Sequence, residues 1–141
     1  MTKKGIEKRT YQGVVYDSET ELKFLLEWIE PKLKTGEISR YERQVPYILQ
    51  EGYTNFIGKK ILPIKYVADY VIYYPNDDYI VVDVKGQADN TAKLKRKLFW
   101  KKYPDIKYYW YCRNIKYGGE THWLLYDELQ KKRKEAKKAK K

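Results

Sequence analysis

Two short segments govern what this chain can fold into: Lys65-Tyr66-Val67-Ala68-Asp69-Tyr70-Val71 and Ile80-Val81-Val82-Asp83-Val84-Lys85-Gly86. Both are rich in Val, Ile and Tyr and read as strands. Their interiors nevertheless carry Asp69, Asp83 and Lys85. Charge buried among apolar side chains is costly unless it is paired or holds a metal. Side chains alternate along a strand, so Asp83 and Lys85 share a face about 6.6 Å apart. Asp69 lies on the preceding strand, antiparallel across the turn Pro75-Asn76-Asp77-Asp78. It reaches the face of Asp83 and Lys85 only if directly paired positions sum to an even number. That condition predicts a connection of three or five residues, or a bulge. A tight two- or four-residue loop would turn Asp69 to the opposite side.

Two carboxylates and a lysine brought together suit metal-dependent phosphodiester hydrolysis. Mg²⁺ prefers oxygen ligands and uses one or two carboxylates plus substrate phosphate. Asp69 and Asp83 answer that description, with the backbone carbonyl of Val84 as a further ligand, and Mn²⁺ would serve as well. Bound metal acidifies a water and neutralises developing charge. Lys85 would orient that water or help deprotonate it. The structural alternative is a buried Asp–Lys pair that only stabilises the sheet, although such pairs stabilise weakly.

The net charge of +11 is uneven, because residues 130–141 contribute eight Lys/Arg against one Glu and leave about +4 for the body. A basic body with a basic tail usually meets a polyanion such as DNA, RNA or an acidic membrane surface. A merely solubilising tail is the alternative. Some of the sixteen tyrosines and four tryptophans are expected to pack on sheet faces, and others against sugars or bases. No apolar run approaches the roughly 18–20 residues of a transmembrane helix, and no apolar signal region follows Met1. The expected location is cytoplasmic. Cys112 stands alone, reads as core filler, and with the single His122 forms no zinc-ligand spacing.

The chain reads as one domain over residues 11–129, with a loose basic N-terminus (1–10) and a Lys-rich tail (130–141). Ser18-Glu19-Thr20-Glu21 predicts a capping box that opens a helix, with Leu22, Leu25, Leu26, Ile29 and Leu33 on one face and Gly36 past its end. Residues 38–49 turn strand-like, with Pro46 favouring an edge or a bulge. Glu51 to Asn55 and Gly58 to Lys60 read as turns. Strands near 62–74 and 79–85 follow, then a helix capped by Asp89 or Asn90 and stopped by Pro104, and a strand over 106–112. A short strand from His122 to Tyr126 and a helix from about Asp127, fraying into the tail, close the pattern. The order α-β-β-β-α-β predicts an α/β fold around a mixed sheet. In the second long helix Lys93, Lys97 and Lys101 form an i, i+4, i+8 stripe with Trp100 beside it, able to grip phosphates without reading sequence. A solvated helix face is the plain alternative.

The run Tyr66-Val67-Ala68-Asp69-Tyr70 followed by Val81-Val82-Asp83-Val84-Lys85-Gly86 resembles the PD-(D/E)xK nuclease superfamily. Asp69 stands for the first motif acid, and Asp83 with Lys85 for the second motif. Ala68 replaces the usual proline, and Asp83 replaces the commoner glutamate. The wider pattern adds Tyr16-Asp17-Ser18, Gly36-Glu37-Ile38, Lys97-Leu98-Phe99 and Tyr103-Pro104-Asp105-Ile106, over residues 11–106, and is similar to small phage-encoded proteins. There is also a similarity to the short phage endonucleases that resolve four-way DNA junctions, carried by Ser18-Glu19-Thr20-Glu21, by Tyr41-Glu42-Arg43-Gln44-Val45-Pro46-Tyr47, and by Asp83-Val84-Lys85-Gly86. The resemblance implies a restriction-endonuclease-like core and a Mg²⁺- or Mn²⁺-dependent endodeoxyribonuclease, with branched DNA as a candidate substrate and a homodimer if it resolves junctions. By that resemblance Glu21 reaches the metal site, directly or through water; the local alternative is that it only completes the capping box. For Glu42 a surface or salt-bridge role is expected. A non-catalytic DNA-binding module on the same fold is the competing functional reading.

Overall fold

The structure, a computed structural model, describes residues 3–140. A short helix α1 (Lys3–Lys8) leads into a two-stranded ladder of β1 (Thr10–Tyr11) and β2 (Val14–Val15). Within the segment expected to be loose, residues 3–10 therefore form a short helix and the start of a strand. The reason is local: the Arg9 guanidinium donates to the Tyr16 carbonyl (2.6 Å), and the Tyr16 amide donates back to the Arg9 carbonyl (2.8 Å). Residues 1 and 2 of that segment, and 141 of the tail, lie outside the described residues.

Ser18 caps the next helix, its hydroxyl accepting the Glu21 amide at 3.0 Å. Helix α2 (Glu19–Phe24) runs through a π-helical stretch (Leu25–Ile29) into α3 (Glu30–Thr35), and Gly36 ends it in the left-handed conformation (φ 80°). That conformation costs glycine little, which is why glycine sits there.

The central sheet has five strands in the order β3 (Arg40–Gln50), β6 (Ile64–Tyr73), β7 (Tyr79–Val84), β8 (Tyr108–Arg113) and β9 (Trp123–Leu125). Only β7 and β8 are parallel, as their crossover through α4 (Asn90–Lys102) requires. Strand β3 is the edge, which accommodates Pro46. Between β3 and β6 the chain makes a small hairpin, β4 (Tyr53–Thr54) with β5 (Lys60–Ile61), where only turns were expected. Helix α5 (Tyr126–Ala139) is helical through most of the segment expected to fray.

One sheet face (Tyr70, Ile72, Ile80, Val82) packs on Phe24, Leu25 and Ile29 of the first long helix. The other (Ala68, Val71, Val81) packs on Phe99 of α4. The result is α/β, a five-stranded mixed sheet flanked by helices, compatible with a restriction-endonuclease-like fold. Among the described residues no helix is long and apolar enough to cross a membrane. Cys112 is a buried free thiol beside Leu124, as expected of core filler.

Candidate metal centre

Strands β6 and β7 pair Tyr73 with Tyr79 and Tyr70 with Val82, across a connection of five residues, Tyr74 to Asp78. The register is the even one, and continuing it by one step sets Asp69 opposite Asp83. The ladder stops one pair short of them. Beyond that point β7 stays with β8, where Asp83 pairs with Trp110, and Asp69 sits where β6 and β7 part. Its Oδ2 accepts the Val84 amide at 2.8 Å.

A second irregularity aims Asp69. In the ladder with β3, Arg43 pairs with Tyr70 and Val45 with Ala68, but Gln44 and Asp69 between them are unpaired. Gln44 is in the left-handed region (φ 52°). Ala68 faces α4 and Tyr70 faces the first helix, although two residues apart on a regular strand they would share a face. The kink turns the Asp69 carboxylate to Asp17 and Glu21, and one oxygen from each of these three acids lies within 4.8 Å of the others.

Glu21 is buried, with 2% exposure. Its side chain does not complete the box on Ser18. Instead Oε1 accepts from Gln44 (3.0 Å) and from Arg43 (3.3 Å), whose guanidinium lies 3.8 Å over the Tyr16 ring. Burial, then the neighbouring Asp17, pushes the Glu21 carboxyl above the usual carboxylate range. Burial likewise raises Asp69, followed by the charges of Asp83 and Glu21; the Val84 amide and Lys85 oppose the rise only partly. Three carboxyls crowd one another with too little positive charge nearby, and their oxygens are hard donors of the kind Mg²⁺ and Mn²⁺ take. Asp17, Glu21 and Asp69 could therefore hold a divalent cation.

Asp83 behaves differently. It is buried at 5% exposure, and both its oxygens are engaged. The Tyr66 hydroxyl donates to Oδ1 at 2.8 Å, and the Lys85 ammonium lies 2.6 Å from Oδ2 and 5.1 Å over Trp110. Burial and the adjacent Asp83 charge keep the Tyr66 phenol protonated. Asp83 is thus outside the three-acid cluster, and the pairing of Asp69 with Asp83 as ligands is not the one assembled. Val84 offers its amide to Asp69, so its part in the site is a hydrogen bond through nitrogen.

Asp83 and Lys85 instead floor a cleft of about 370 Å³ between the sheet and α4. Lys65, Lys95, Thr91 and Asp89 also line it, so three lysines and two aspartates surround the cleft. The stripe of Lys93, Lys97 and Lys101 is exposed and does not line it. At about 100° per residue, Lys97 lies roughly 160° around α4 from Lys95. Trp100 is partly exposed and stacks with Arg96 (4.7 Å), which is itself held by Trp110 and by Asp127. Glu42 pairs with Arg40 at 3.2 Å on the exposed edge, as its surface assignment expected. A larger cavity of about 690 Å³ lies at the far end of the strands, around Tyr74, Tyr109 and Tyr111, away from all of these acids.

Asp17, Lys65 and Lys95 are among the members of the site not singled out by the sequence. Asp17 had one signal: it directly precedes the cap residue, so the chain entering the helix carries it next to the first turn, where Glu21 sits. Residues 1–119 match the family described as a protein of unknown function, DUF1064. The chain belongs to this family. No curated protein matches it. DUF1064 therefore has here a member in which an acidic cluster and a lysine-lined cleft adjoin across one sheet.

Proposed function

We propose that this DUF1064 protein is a divalent-metal-dependent endodeoxyribonuclease of the PD-(D/E)xK kind. One observation carries the reading: the crowded Asp17, Glu21 and Asp69 carboxyls lie where two strands part, beside an Asp83–Lys85 pair that opens on a basic cleft. A chain that only needed a stable sheet would gain nothing by crowding three acids against one another.

Asp17, Glu21 and Asp69 would hold the cation. When bound, it supplies Lewis-acid stabilisation of the phosphate and a water made more acidic. Arg43 and Gln44 fix Glu21 by its Oε1, leaving the other oxygen to a ligand. The Val84 amide fixes Asp69 in the same way. Lys85, held by Asp83, faces the cleft with an ammonium that can hold a proton near the attacking water or counter charge on the phosphoryl oxygens. Lys65 and Lys95 bind the phosphates on either side, which gives position without sequence readout. Water attacks phosphorus, and the P–O bond to one sugar breaks, releasing that alkoxide to take up a proton.

Branched DNA is the proposed substrate shape, and cutting both strands of a junction would take two copies of the chain. The second reading, a DNA-binding module without catalysis, draws on one observation: Asp83 is already closed into a network with Tyr66 and Lys85. Incubation with four-way junction, flap, single-stranded and linear duplex DNA, each with Mg²⁺, Mn²⁺ or EDTA, tests the proposal. Cleavage that requires metal and disappears in Asp69→Asn supports it. Binding without cutting under every metal condition would leave only the second reading.

A further inference from the structure

The hairpin between β3 and β6 exposes more apolar surface than a turn needs. Phe56 is 98% exposed and Ile57 70%, with Tyr53 and Leu62 also open. They are not on a slack loop. Asn55 ties the tip: its side-chain oxygen accepts the amides of Ile57 (3.2 Å) and Lys59 (2.9 Å), and its own amide donates to the Lys59 carbonyl (2.9 Å). Gly58 completes the turn at φ 78°. The backbone therefore holds Phe56 and Ile57 out to solvent in a fixed pose.

The charge around this tip is positive. Lys59 and Lys60 adjoin it, and Lys65 follows at the start of β6. The acid at the hairpin's base, Glu51, is paired with Lys102 at 3.2 Å. The tip is also continuous with the cleft, because the chain leaving the hairpin becomes β6, whose Lys65 and Val67 form the cleft wall. Three residues, Leu62 to Ile64, separate Ile61 from Lys65, and the four chain steps reach at most about 14 Å. Nine chain steps run from Phe56 to Lys65, so Phe56 stands within about 32 Å of the cleft wall, roughly nine base steps of DNA at 3.4 Å each.

We infer that the Phe56–Ile57 tip is a wedge that stacks on unpaired or unstacked bases of the DNA whose backbone lies in the cleft. Aromatic and aliphatic side chains do this in proteins that bind single strands or kinked duplexes, with flanking lysines on the phosphates. The inference rests on the proposed nuclease reading and adds to it a reason for selecting branched DNA: a branch presents bases with a free face, and an intact duplex does not. A rigid apolar tip ringed by cations fits that ligand better than a second copy of this basic chain, which would bring like charges together.

The test measures binding of full-length protein in EDTA to a labelled four-way junction and a flap, each against linear duplex of equal length, together with oligomeric state by sedimentation. Wild type is expected to prefer the branched forms. Phe56→Ala should lower the branched-to-duplex affinity ratio roughly 5- to 150-fold, the range of one lost base stack. Phe56→Trp should keep the ratio, and 2-aminopurine at the branch point should be quenched by wild type but not by Phe56→Ala. An unchanged ratio in Phe56→Ala, or a change of oligomeric state caused by it, overturns the wedge while leaving the metal-dependent cleavage of wild type intact. A wild type that cuts no DNA removes the nuclease reading itself; one that binds none removes both.

Discussion

Asp69 and Asp83 occupy neighbouring places across one strand pair, and their surroundings are opposite. Asp83 has each oxygen matched by a donor, Tyr66 and Lys85. Asp69 has one amide donor and faces Asp17 and Glu21, two further acids. A buried carboxylate with its partners in place is self-sufficient. One facing other carboxylates is stable only with a proton or a cation added. The contrast separates two arrangements that the sequence motif runs together: Asp17, Glu21 and Asp69 could hold a metal ion, and Asp83 is paired with Lys85.

Breaking the cation side should have the largest effect. Asp69→Asn keeps an acceptor for the Val84 amide and removes the charge. Cleavage is expected to fall roughly 10²- to 10⁴-fold, the span of losing one principal electrostatic or acid–base contribution. The metal-free variant should nevertheless melt higher than wild type at pH 8, because a repelled charge has gone. About 1 kcal/mol of relief would move the midpoint by roughly 3–5 °C for a domain of this size. Product formation on gels and thermal melts in EDTA give the two readouts. A variant that is both inactive and less stable would mean Asp69 serves the fold rather than a cation.

On the other side of the comparison, Lys85→Ala strands the Asp83 carboxylate with Tyr66 alone. Removing one partner of a buried pair typically costs about 3–5 kcal/mol. Since the Lys85 side chain is 21% exposed, a loss near the lower end, about 3 kcal/mol, is expected in urea titration. The double variant Asp83→Leu/Lys85→Met should recover most of it. Stability that stays low in the double variant would show that the pair is not the source of the loss.

The pH dependence of the metal-free protein carries the same contrast. Asp69 is raised in the folded state from 3.8 to about 8, and Glu21 is raised as well, so between the unfolded and folded values the folded protein binds more protons than the unfolded chain. Stability should therefore fall as pH rises from about 4 towards 8. A divalent cation replaces those protons. A Mn²⁺ concentration a hundredfold above its dissociation constant at pH 8 adds about 2.7 kcal/mol there, and the same concentration should add less at pH 5.5. Scanning calorimetry at the two pH values, with Mn²⁺ and with EDTA, measures this. Equal gains at both would place Mn²⁺ away from the raised acids.

Much of this was legible in the residues. The five-residue turn, the even register, the Ser18 cap and the edge position of the Pro46 strand follow from alternation, turn chemistry and missing donors. What was not legible depends on departures from regularity. Nothing in Arg43-Gln44-Val45 announces a left-handed glutamine: Pro46 favoured an edge or a bulge without placing one at Gln44, and a shared Asp69–Asp83 ligand pair was the expectation. The lysine stripe on α4 illustrates a different limit. Spacing shows which lysines lie together, but only packing shows which side faces the sheet. Phe99 is fully buried on that side, and it brings Lys95 to the cleft while Lys93, Lys97 and Lys101 remain in solvent.

The smallest expected effect tests the kink that creates the contrast. Gln44 at φ 52° bears the strain of a side chain in the left-handed region and donates 3.0 Å to Glu21. Gln44→Ala loses that bond and keeps the strain, so a loss of about 1.5–3 kcal/mol is expected, as for a hydrogen bond to a charged acceptor. Gln44→Gly loses the same bond but escapes a backbone penalty of about 1 kcal/mol, and should be less destabilised by that amount. The difference between the two variants in chemical denaturation isolates the backbone contribution, because the lost contact is common to both. Both variants should also raise Glu21 further, since Gln44 is one of the groups holding it down. If glycine is no better than alanine, the left-handed step is not a strained device aiming Asp69 at Glu21, and the difference between the two acids would have to come from the parting of β6 and β7 alone.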